Sequence, residues 1–352
     1  MSRRVWIVLI SLAVLVLSSP FWFRPVTFAV FQRLWPVFFE SDIITRFDPQ
    51  RGMDLLPNLE NARLVAPARP HQVHRVQDRI HKAEVQRRAV FRVNTNALAM
   101  RCGSPCRTPS LEHNPKRLRI ACVGDSITFG WGVSYEESYP AFLEQRLQAA
   151  RPDRQVEVIN AGIPGLPMGS IPGILQHKVA PLKPDVVFAL KLGDLMEREP
   201  LTAYRQRLEE LKRLAQVGGF KLVIGSPPIS SFDLHPQGWQ FAEALQRYGA
   251  ETQTPVLVLA PLFKERGLGR GLKLEVEGQQ QLLVAYEDGQ RVVRFSAPAP
   301  QLPETIAPEI YAWLDRSNET EALFFDDGHP DVEGNQLLAE QLASLMLAQG
   351  WF

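Results

Sequence analysis

From Leu118 to the end of the chain, short apolar runs alternate with longer helix-compatible stretches, and this alternation limits the folds that the chain can adopt. Runs of strand length occur at 120–123, 156–159, 186–190, 221–224 and 256–259. Helices are predicted at 139–150, 204–217, 239–248 and 333–347. Strands that alternate with helices form a parallel sheet with helices on both faces. We therefore predict an α/β fold, a three-layer sandwich with a central parallel sheet.

The N-terminus has the pattern of a membrane anchor. Arg3 and Arg4 precede an apolar run that begins at Val5 and continues to Phe23. About 19 helical residues approach the ~30 Å hydrocarbon thickness of a bilayer. A cleaved secretory signal is the alternative, but no small-x-small cleavage site follows the run. We predict that residues 1–40 form a single-pass anchor with an interfacial segment, and that the rest of the chain is exported.

The region 41–116 has little periodicity, and we predict a linker with a small accessory layer in which 90–93 is a strand. Between Glu60 and Arg117, twelve Lys or Arg residues are opposed by four acidic residues. This excess predicts either a solvated basic face or a surface that contacts lipid headgroups or an acidic polymer. The whole chain carries a net charge of only +1, which argues against a dedicated nucleic-acid binder.

The three cysteines are compatible with export. Cys122 lies in an apolar run and is predicted to be a buried core residue. Cys102 and Cys106 lie in a loop-like segment and could form a small disulfide in an oxidising compartment. A metal site would need two more ligands, and the neighbouring sequence offers no convincing set. We predict no metal and no cofactor.

A glycine-flanked serine follows the first apolar run, in the sequence Gly124-Asp125-Ser126. At the carboxyl end of a parallel strand this serine would lie where open α/β sheets bind their ligands. A serine hydroxyl is a poor nucleophile unless a base takes its proton and a carboxylate orients the base. The alternative is that Ser126 is only a helix N-cap, a role that serine often fills.

The C-terminal region offers candidates for the base and the carboxylate. Asp326 stands three residues before His329. Of the seven histidines, His329 is the one that combines an acid at this spacing with a following proline-containing turn. Asp327 is the alternative acid, although its position beside Asp326 is more typical of a turn or cap residue. We predict a catalytic set of Ser126, Asp326 and His329.

These two motifs resemble those of the SGNH or GDSL hydrolase family. The similarity runs from about Arg117 to the C-terminus and includes the segments 129–133, 157–165 and 184–187. It implies a hydrolase domain at 117–352 in which Ser126 attacks an acyl carbonyl, His329 takes the hydroxyl proton and Asp326 orients the imidazole. Upstream, 47–49 and 93–96 resemble the lead-in of membrane-anchored bacterial members that act in polysaccharide systems.

The resemblance also implies three donors for the oxyanion that develops during acyl transfer. Two are the backbone N–H of Ser126 and a donor at Gly165. The third is normally an asparagine, but one count along the motif places Asp194 there and another places Leu195. A carboxylate donates no hydrogen bond unless it is protonated. Loss of one donor lowers the rate about 10²–10³-fold.

Together these features predict an exported, membrane-anchored serine esterase or acyltransferase whose substrate is an acyl ester, such as an O-acetyl group of a polysaccharide. Two alternatives stay open. Asp194 favours a catalytically weak or silent protein that binds or scaffolds within polysaccharide assembly. The anchor and the aromatic segment after it favour a lipid or thioester hydrolase. We predict that the single-pass anchor holds the catalytic domain outside the cytoplasm, in the periplasm or the extracellular space.

Overall fold

A computed structural model describes residues 42–67, 71–74, 84–85, 88–190, 200–228, 236–268, 273–276, 279–282, 285–287, 290–292, 323 and 328–351. The strands are β1 (Thr45–Asp48), β2 (Gly52–Leu55), β3 (Ala62–Pro67), β4 (His71–His74), β5 (Glu84–Val85), β6 (Arg88–Thr95), β7 (Arg101–Cys102), β8 (Arg117–Gly124), β9 (Gln155–Gly162), β10 (Val186–Leu190), β11 (Lys221–Gly225), β12 (Val256–Leu257), β13 (Lys273–Val276), β14 (Gln279–Leu282), β15 (Ala285–Glu287) and β16 (Gln290–Val292). The helices are α1 (Ser126–Phe129), α2 (Tyr139–Ala150), α3 (Ile171–Ile174), α4 (Leu201–Gly218), α5 (Pro236–Thr252), α6 (Leu259–Leu268) and α7 (Val332–Ala348). Short 3-10 and π turns flank α3 at Met168–Ser170, Leu175–Val179 and Ala180–Leu182.

The main sheet has eight strands in the order β12-β11-β10-β8-β9-β7-β6-β3. The five strands from β12 to β9 are parallel. The other three continue the sheet in antiparallel pairing. The predicted α/β fold with a central parallel sheet is therefore confirmed, and the sheet also has an antiparallel extension that was not predicted.

Alternate residues of the parallel strands enter two separate cores. On β8, Ala121 and Val123 join the core that contains buried residues of α3, α4 and α5. Ile120 and Cys122 join the core that contains buried residues of α2, α6 and α7. Because both faces of β8 are buried, the strand has a continuous apolar run instead of an alternating pattern. These layers form the predicted three-layer sandwich.

The region predicted as a linker and accessory layer belongs to the same sheet. Strands β3, β6 and β7 extend it from β9, and the predicted strand 90–93 lies within β6. Leu64 and Phe91 share a core with Ala121, so the boundary drawn before Arg117 does not divide two cores. The sequence does not predict that these strands join the main sheet, because the connecting strand β7 has only two residues and pairs with β9 at a single position.

Most predicted helices and strands in the described residues are present with small changes at their ends. The strand predicted at 256–259 stops at Leu257, because the Leu259 N–H donates to Ser226 Oγ at 2.9 Å and α6 begins there. After α6, the described residues form two short antiparallel hairpins, β13–β14 and β15–β16.

The described residues do not include the predicted anchor at 1–40. Within the ranges given above, no helix is both long enough and apolar enough to cross a membrane. Cys102 and Cys106 form a disulfide. Cys122 is buried with a free thiol, as predicted, and burial raises the pKa of this thiol to about 12.

Candidate active site

Ser126 lies in a tight turn between β8 and α1. A side chain at Gly124 would place its Cβ 2.3 Å from Thr128 Oγ1, so a glycine is needed for the strand to enter the helix so abruptly. Asp125 caps the helix, and its carboxylate accepts a hydrogen bond from the Ile127 N–H at 3.0 Å. Ser126 is thus the first residue of the helix and not its cap, which leaves its hydroxyl available for another partner.

That partner is His329, whose Nε2 lies 2.7 Å from Ser126 Oγ across 203 residues of sequence. The predicted contact between the two side chains is therefore present. In the tautomer that carries its proton on Nδ1, the imidazole accepts the hydrogen bond from the serine hydroxyl. This is the arrangement that a general base needs in order to take the serine proton.

Asn335 on α7 holds the backbone that follows His329. Its amide nitrogen donates to the carbonyl oxygens of Pro330 at 2.9 Å and Asp331 at 2.8 Å. Its amide oxygen accepts the N–H of Tyr139, the first residue of α2, at 2.9 Å. One buried side chain thus fixes the histidine loop to two helices.

The carboxylate partners predicted for His329 are Asp326 and Asp327, and both lie outside the described residues. His329 has interactions beyond its contact with Ser126. The role of Asp326 as the residue that orients His329 stays a prediction.

The loop after β9 begins beside the serine turn. Gly124 and Gly162 are register partners, and the Ile163 N–H donates to the Gly124 carbonyl oxygen at 3.1 Å. Gly165 follows with a φ of +71°, a conformation that favours glycine. Among the described residues, neither the Ser126 N–H nor the Gly165 N–H donates to a protein acceptor. The roles of the Ser126 N–H and of Gly165 as oxyanion donors stay predictions, and Asp194 and Leu195 lie outside the described residues.

Trp131 lies beside the histidine, with ring centroids 6.3 Å apart. Its indole also meets Phe91 of β6 edge-on at 5.5 Å. The sequence motif included Trp131 but gave no role to it, and Phe91 carried no signal beyond its place in the predicted strand 90–93. The antiparallel extension thus reaches the neighbourhood of the candidate base.

Arg101 differs from the sequence expectation. It belongs to the basic region between Glu60 and Arg117, for which the sequence predicted a solvated face or a contact surface, but only 2% of its surface is exposed. Its guanidinium donates to three backbone carbonyls of the loop that follows α1. No local pattern marks this arginine as buried, because its burial depends on strand pairing far away in sequence.

A cavity of about 340 Å³ lies away from the serine and histidine. It is bounded by the disulfide loop, α2 and the edge of β9, and neither Ser126 nor His329 lines it. Among the side chains that the structure describes, no group of three or more His, Cys, Asp and Glu is arranged to hold a metal ion.

Comparisons with known proteins concern the same region. The family model described as GDSL-like Lipase/Acylhydrolase matches residues 122–280. No curated protein matches the chain.

Solved structures also resemble it. A protein described as lipolytic and of the G-D-S-L family, from Desulfitobacterium hafniense DCB-2, is 19% identical with a TM-score of 0.43, covering 65% of this chain and 99% of its own. The acetyl xylan esterase AlAXEase is 15% identical with a TM-score of 0.44, covering 64% of this chain and 98% of its own. A catalytic mutant of an acetylxylan esterase from Geobacillus stearothermophilus is 16% identical with a TM-score of 0.41, covering 65% of this chain and 93% of its own. The family model covers the serine turn and extends from β8 to β14, so residues 122–280 match a domain of the GDSL-like lipase/acylhydrolase family.

Proposed function

We propose that the protein is a serine esterase or acyltransferase that uses Ser126 as its nucleophile and His329 as its general base. The observation that carries this proposal is the 2.7 Å contact between Ser126 Oγ and His329 Nε2. A helix-capping role for Ser126 would not need the contact, and Asp125 already fills that role.

The proposed reaction has two halves that share an acyl-enzyme. Ser126 Oγ attacks the ester carbonyl while its proton moves to His329 Nε2, and the protonated imidazole then gives this proton to the leaving alkoxide. The backbone N–H groups of Ser126 and Gly165 donate to the oxyanion in the tetrahedral intermediate. In the second half, water or a sugar hydroxyl attacks the acyl carbonyl while its proton moves to His329 Nε2. The bond between the acyl carbon and Ser126 Oγ then breaks, and the imidazolium returns the proton to Ser126 Oγ. Asp326 is proposed to orient His329 throughout.

We further propose that the enzyme acts outside the cytoplasm, held by the N-terminal segment, on acyl esters such as O-acetyl groups of a polysaccharide. The apolar run after Arg3 and Arg4 supports the anchor, and the Cys102–Cys106 disulfide is typical of an oxidising compartment. The resemblance of 47–49 and 93–96 to anchored members in polysaccharide systems supports the substrate class.

The two alternatives differ in what they predict for turnover. A silent scaffold is favoured by Asp194, which would bring a carboxylate to a position that needs a donor. A lipid or thioester hydrolase is favoured by the apolar and aromatic N-terminal segment. Both alternatives have the same fold as the proposed esterase. The scaffold would differ from it in having no activity, and the lipid or thioester hydrolase would differ in its substrate.

A panel of acyl esters tests the proposal on the full chain in detergent. We expect hydrolysis of p-nitrophenyl acetate and release of acetate from acetylated xylooligosaccharides, with little turnover of p-nitrophenyl palmitate or palmitoyl-coenzyme A. The Ser126→Ala variant should lose activity on every substrate. Preference for the long-chain substrates would replace the proposal with the lipid hydrolase. No turnover of any ester by folded protein would favour the scaffold.

A further inference from the structure

The guanidinium of Arg101 on β7 donates hydrogen bonds to three backbone carbonyls of one loop. Its Nη1 donates to the carbonyl oxygens of Phe129 and Gly130, the latter at 2.7 Å, and its Nη2 donates to the Val133 carbonyl oxygen at 2.7 Å. A planar guanidinium can hold three carbonyls at once because its donors form a rigid fork. The loop from 129 to 133 is thus fixed at both ends by one side chain.

The loop that Arg101 holds is the one that carries Trp131. Glycines flank the tryptophan on both sides, with φ values of +86° at Gly130 and +88° at Gly132. Trp131 packs between Phe91 and the imidazole of His329. The chain of contacts therefore runs from Arg101 through the loop backbone to Trp131 and then to the candidate base.

Burying this guanidinium carries a cost in free energy. The side chain lies within the protein, and burial lowers the pKa of Arg101 to about 10, which still leaves it cationic at neutral pH. Among the described residues no carboxylate lies within ion-pair distance of it, although Glu136 and Glu137 favour its charge at longer range. Its guanidinium contacts the three carbonyls and the ring of Phe129, whose centroid is 4.5 Å from Cζ. A well-packed apolar residue often stabilises an interior as well as a buried charge does. The carbonyl contacts are therefore the feature that an arginine adds here.

We infer that Arg101 is a positioning residue of the candidate active site: it fixes the 129–133 loop and thereby holds Trp131 against His329. This inference rests on the proposed function for its effect on turnover. It gives the antiparallel extension, predicted from sequence as a separate accessory layer, a direct part in arranging the general base.

A double-mutant cycle on the full chain tests the inference, with p-nitrophenyl acetate as substrate. We expect Arg101→Lys to lower kcat about 10- to 100-fold with KM changed less than about 2-fold, because an ammonium cannot reproduce the fork and a small displacement of a catalytic group is costly. Trp131→Leu should lower kcat similarly. If Arg101 acts through Trp131, adding Arg101→Lys to Trp131→Leu should change kcat less than about 3-fold. Losses that multiply in the double variant would overturn the inference.

The matched control is Arg119, another buried arginine. It donates to the Leu182 carbonyl oxygen and pairs with Glu157 at 2.6 Å, about 20 Å along β8 from the serine. Arg119→Lys should lower Tm while leaving kcat within about 2-fold of wild type. An equal loss of kcat in Arg119→Lys would show that destabilisation alone explains the effect, and the inference would fail.

Hydrogen–deuterium exchange separates this inference from the proposed function. Arg101→Lys should speed amide exchange in a peptide that covers 130–133 by about 10-fold, and Arg119→Lys should not. If wild type hydrolyses no ester, the proposed function fails, but unchanged exchange in the loop is what would overturn the role of Arg101. If Arg101→Lys does not fold, Gly132→Ala strains the same loop through its positive φ and should lower kcat in the same way.

Discussion

At the scale of single residues, two neighbouring side chains of the serine turn have different roles: one caps the helix and the other contacts the candidate base. Asp125 caps α1, so the Ser126 hydroxyl is not used for capping and contacts His329 instead. The sequence could predict Ser126 and His329 because their chemical identity and motif spacing are local information. It could not predict Asn335 or Arg101, because their roles arise from contacts between distant segments.

Asn335 provides a test of how the histidine loop is held. Asn335→Asp keeps an oxygen acceptor for the Tyr139 N–H but replaces the two donors with an oxygen that faces the Pro330 and Asp331 carbonyls. We expect the free energy of unfolding to fall by about 3 kcal/mol. We also expect kcat for p-nitrophenyl acetate to fall about 10-fold or more, because the loop carries the base.

Gln148 is the matched control for this variant. It is also an amide that accepts one N–H, from Val156, and donates to two carbonyls, of Arg151 and Arg154. Gln148→Glu should lower stability in urea unfolding without a comparable loss of kcat per folded molecule. If the two variants lose kcat equally, Asn335 has no special role in placing His329.

Asp194 tests the third oxyanion donor. We expect Asp194→Asn to supply a neutral amide donor and to raise kcat on a simple acyl ester by up to about 10²–10³-fold. The control is Asp185→Asn at the other end of β10, where the carboxylate accepts the Arg119 N–H at 2.7 Å. If Asp194 is protonated and already donates, activity should instead fall as pH rises, and the Asn variant should remove that fall. No effect at any pH would show that another group is the third donor.

At the scale of secondary structure, a helix or strand can be predicted more easily when its apolar pattern extends over more residues. Helices such as α2 and α4 were predicted because their apolar residues recur over three or more turns. The antiparallel strands were harder, since β7 has two residues and β3 ends in a proline. Pairing between Arg101 and Asn160 cannot be inferred from either segment alone. The sequence therefore predicted the five parallel strands and the strand within β6, but it did not predict that β3, β6 and β7 continue the sheet from β9.

The disulfide beside β7 should stabilise this short strand. It closes a loop with a sequence separation of 4, directly after Arg101. The Cys102→Ser, Cys106→Ser double variant should lower the free energy of unfolding by about 2 kcal/mol, measured in urea. Reductant should reproduce this loss in wild type and leave the double variant unchanged. A double variant as stable as oxidised wild type would show that the disulfide contributes nothing to the fold.

At the scale of the whole molecule, the candidate site lies at the carboxyl ends of β8 and β9, where open α/β sheets bind ligands. The histidine loop comes from the start of α7, at the other end of the sequence, and the tryptophan is supported by β6. Three distant parts of the chain thus meet at one edge of the sheet. This convergence was predictable for the serine and histidine from their motifs, whereas the contribution of β6 depended on the complete sheet.

The N-terminal segment is tested by its fate in the mature protein. Because no cleavage site follows the apolar run, we expect the mature chain to retain residues 1–23 and to fractionate with membranes. A protease or membrane-impermeant label applied from the exported side should reach the domain that contains Ser126. N-terminal sequencing that begins after Ser19 would refute the anchor and leave export intact.

The most direct test of the central claim is covalent labelling of the full chain by a fluorophosphonate probe, with the modified peptide identified by mass spectrometry. The probe reacts with serines that a neighbouring base activates. We predict that Ser126 is modified, and that His329→Gln slows this labelling about 10²–10⁴-fold while the protein stays folded. Labelling at an equal rate in His329→Gln, or no modification of Ser126 in folded wild type, would contradict the assignment of Ser126 and His329 as nucleophile and base.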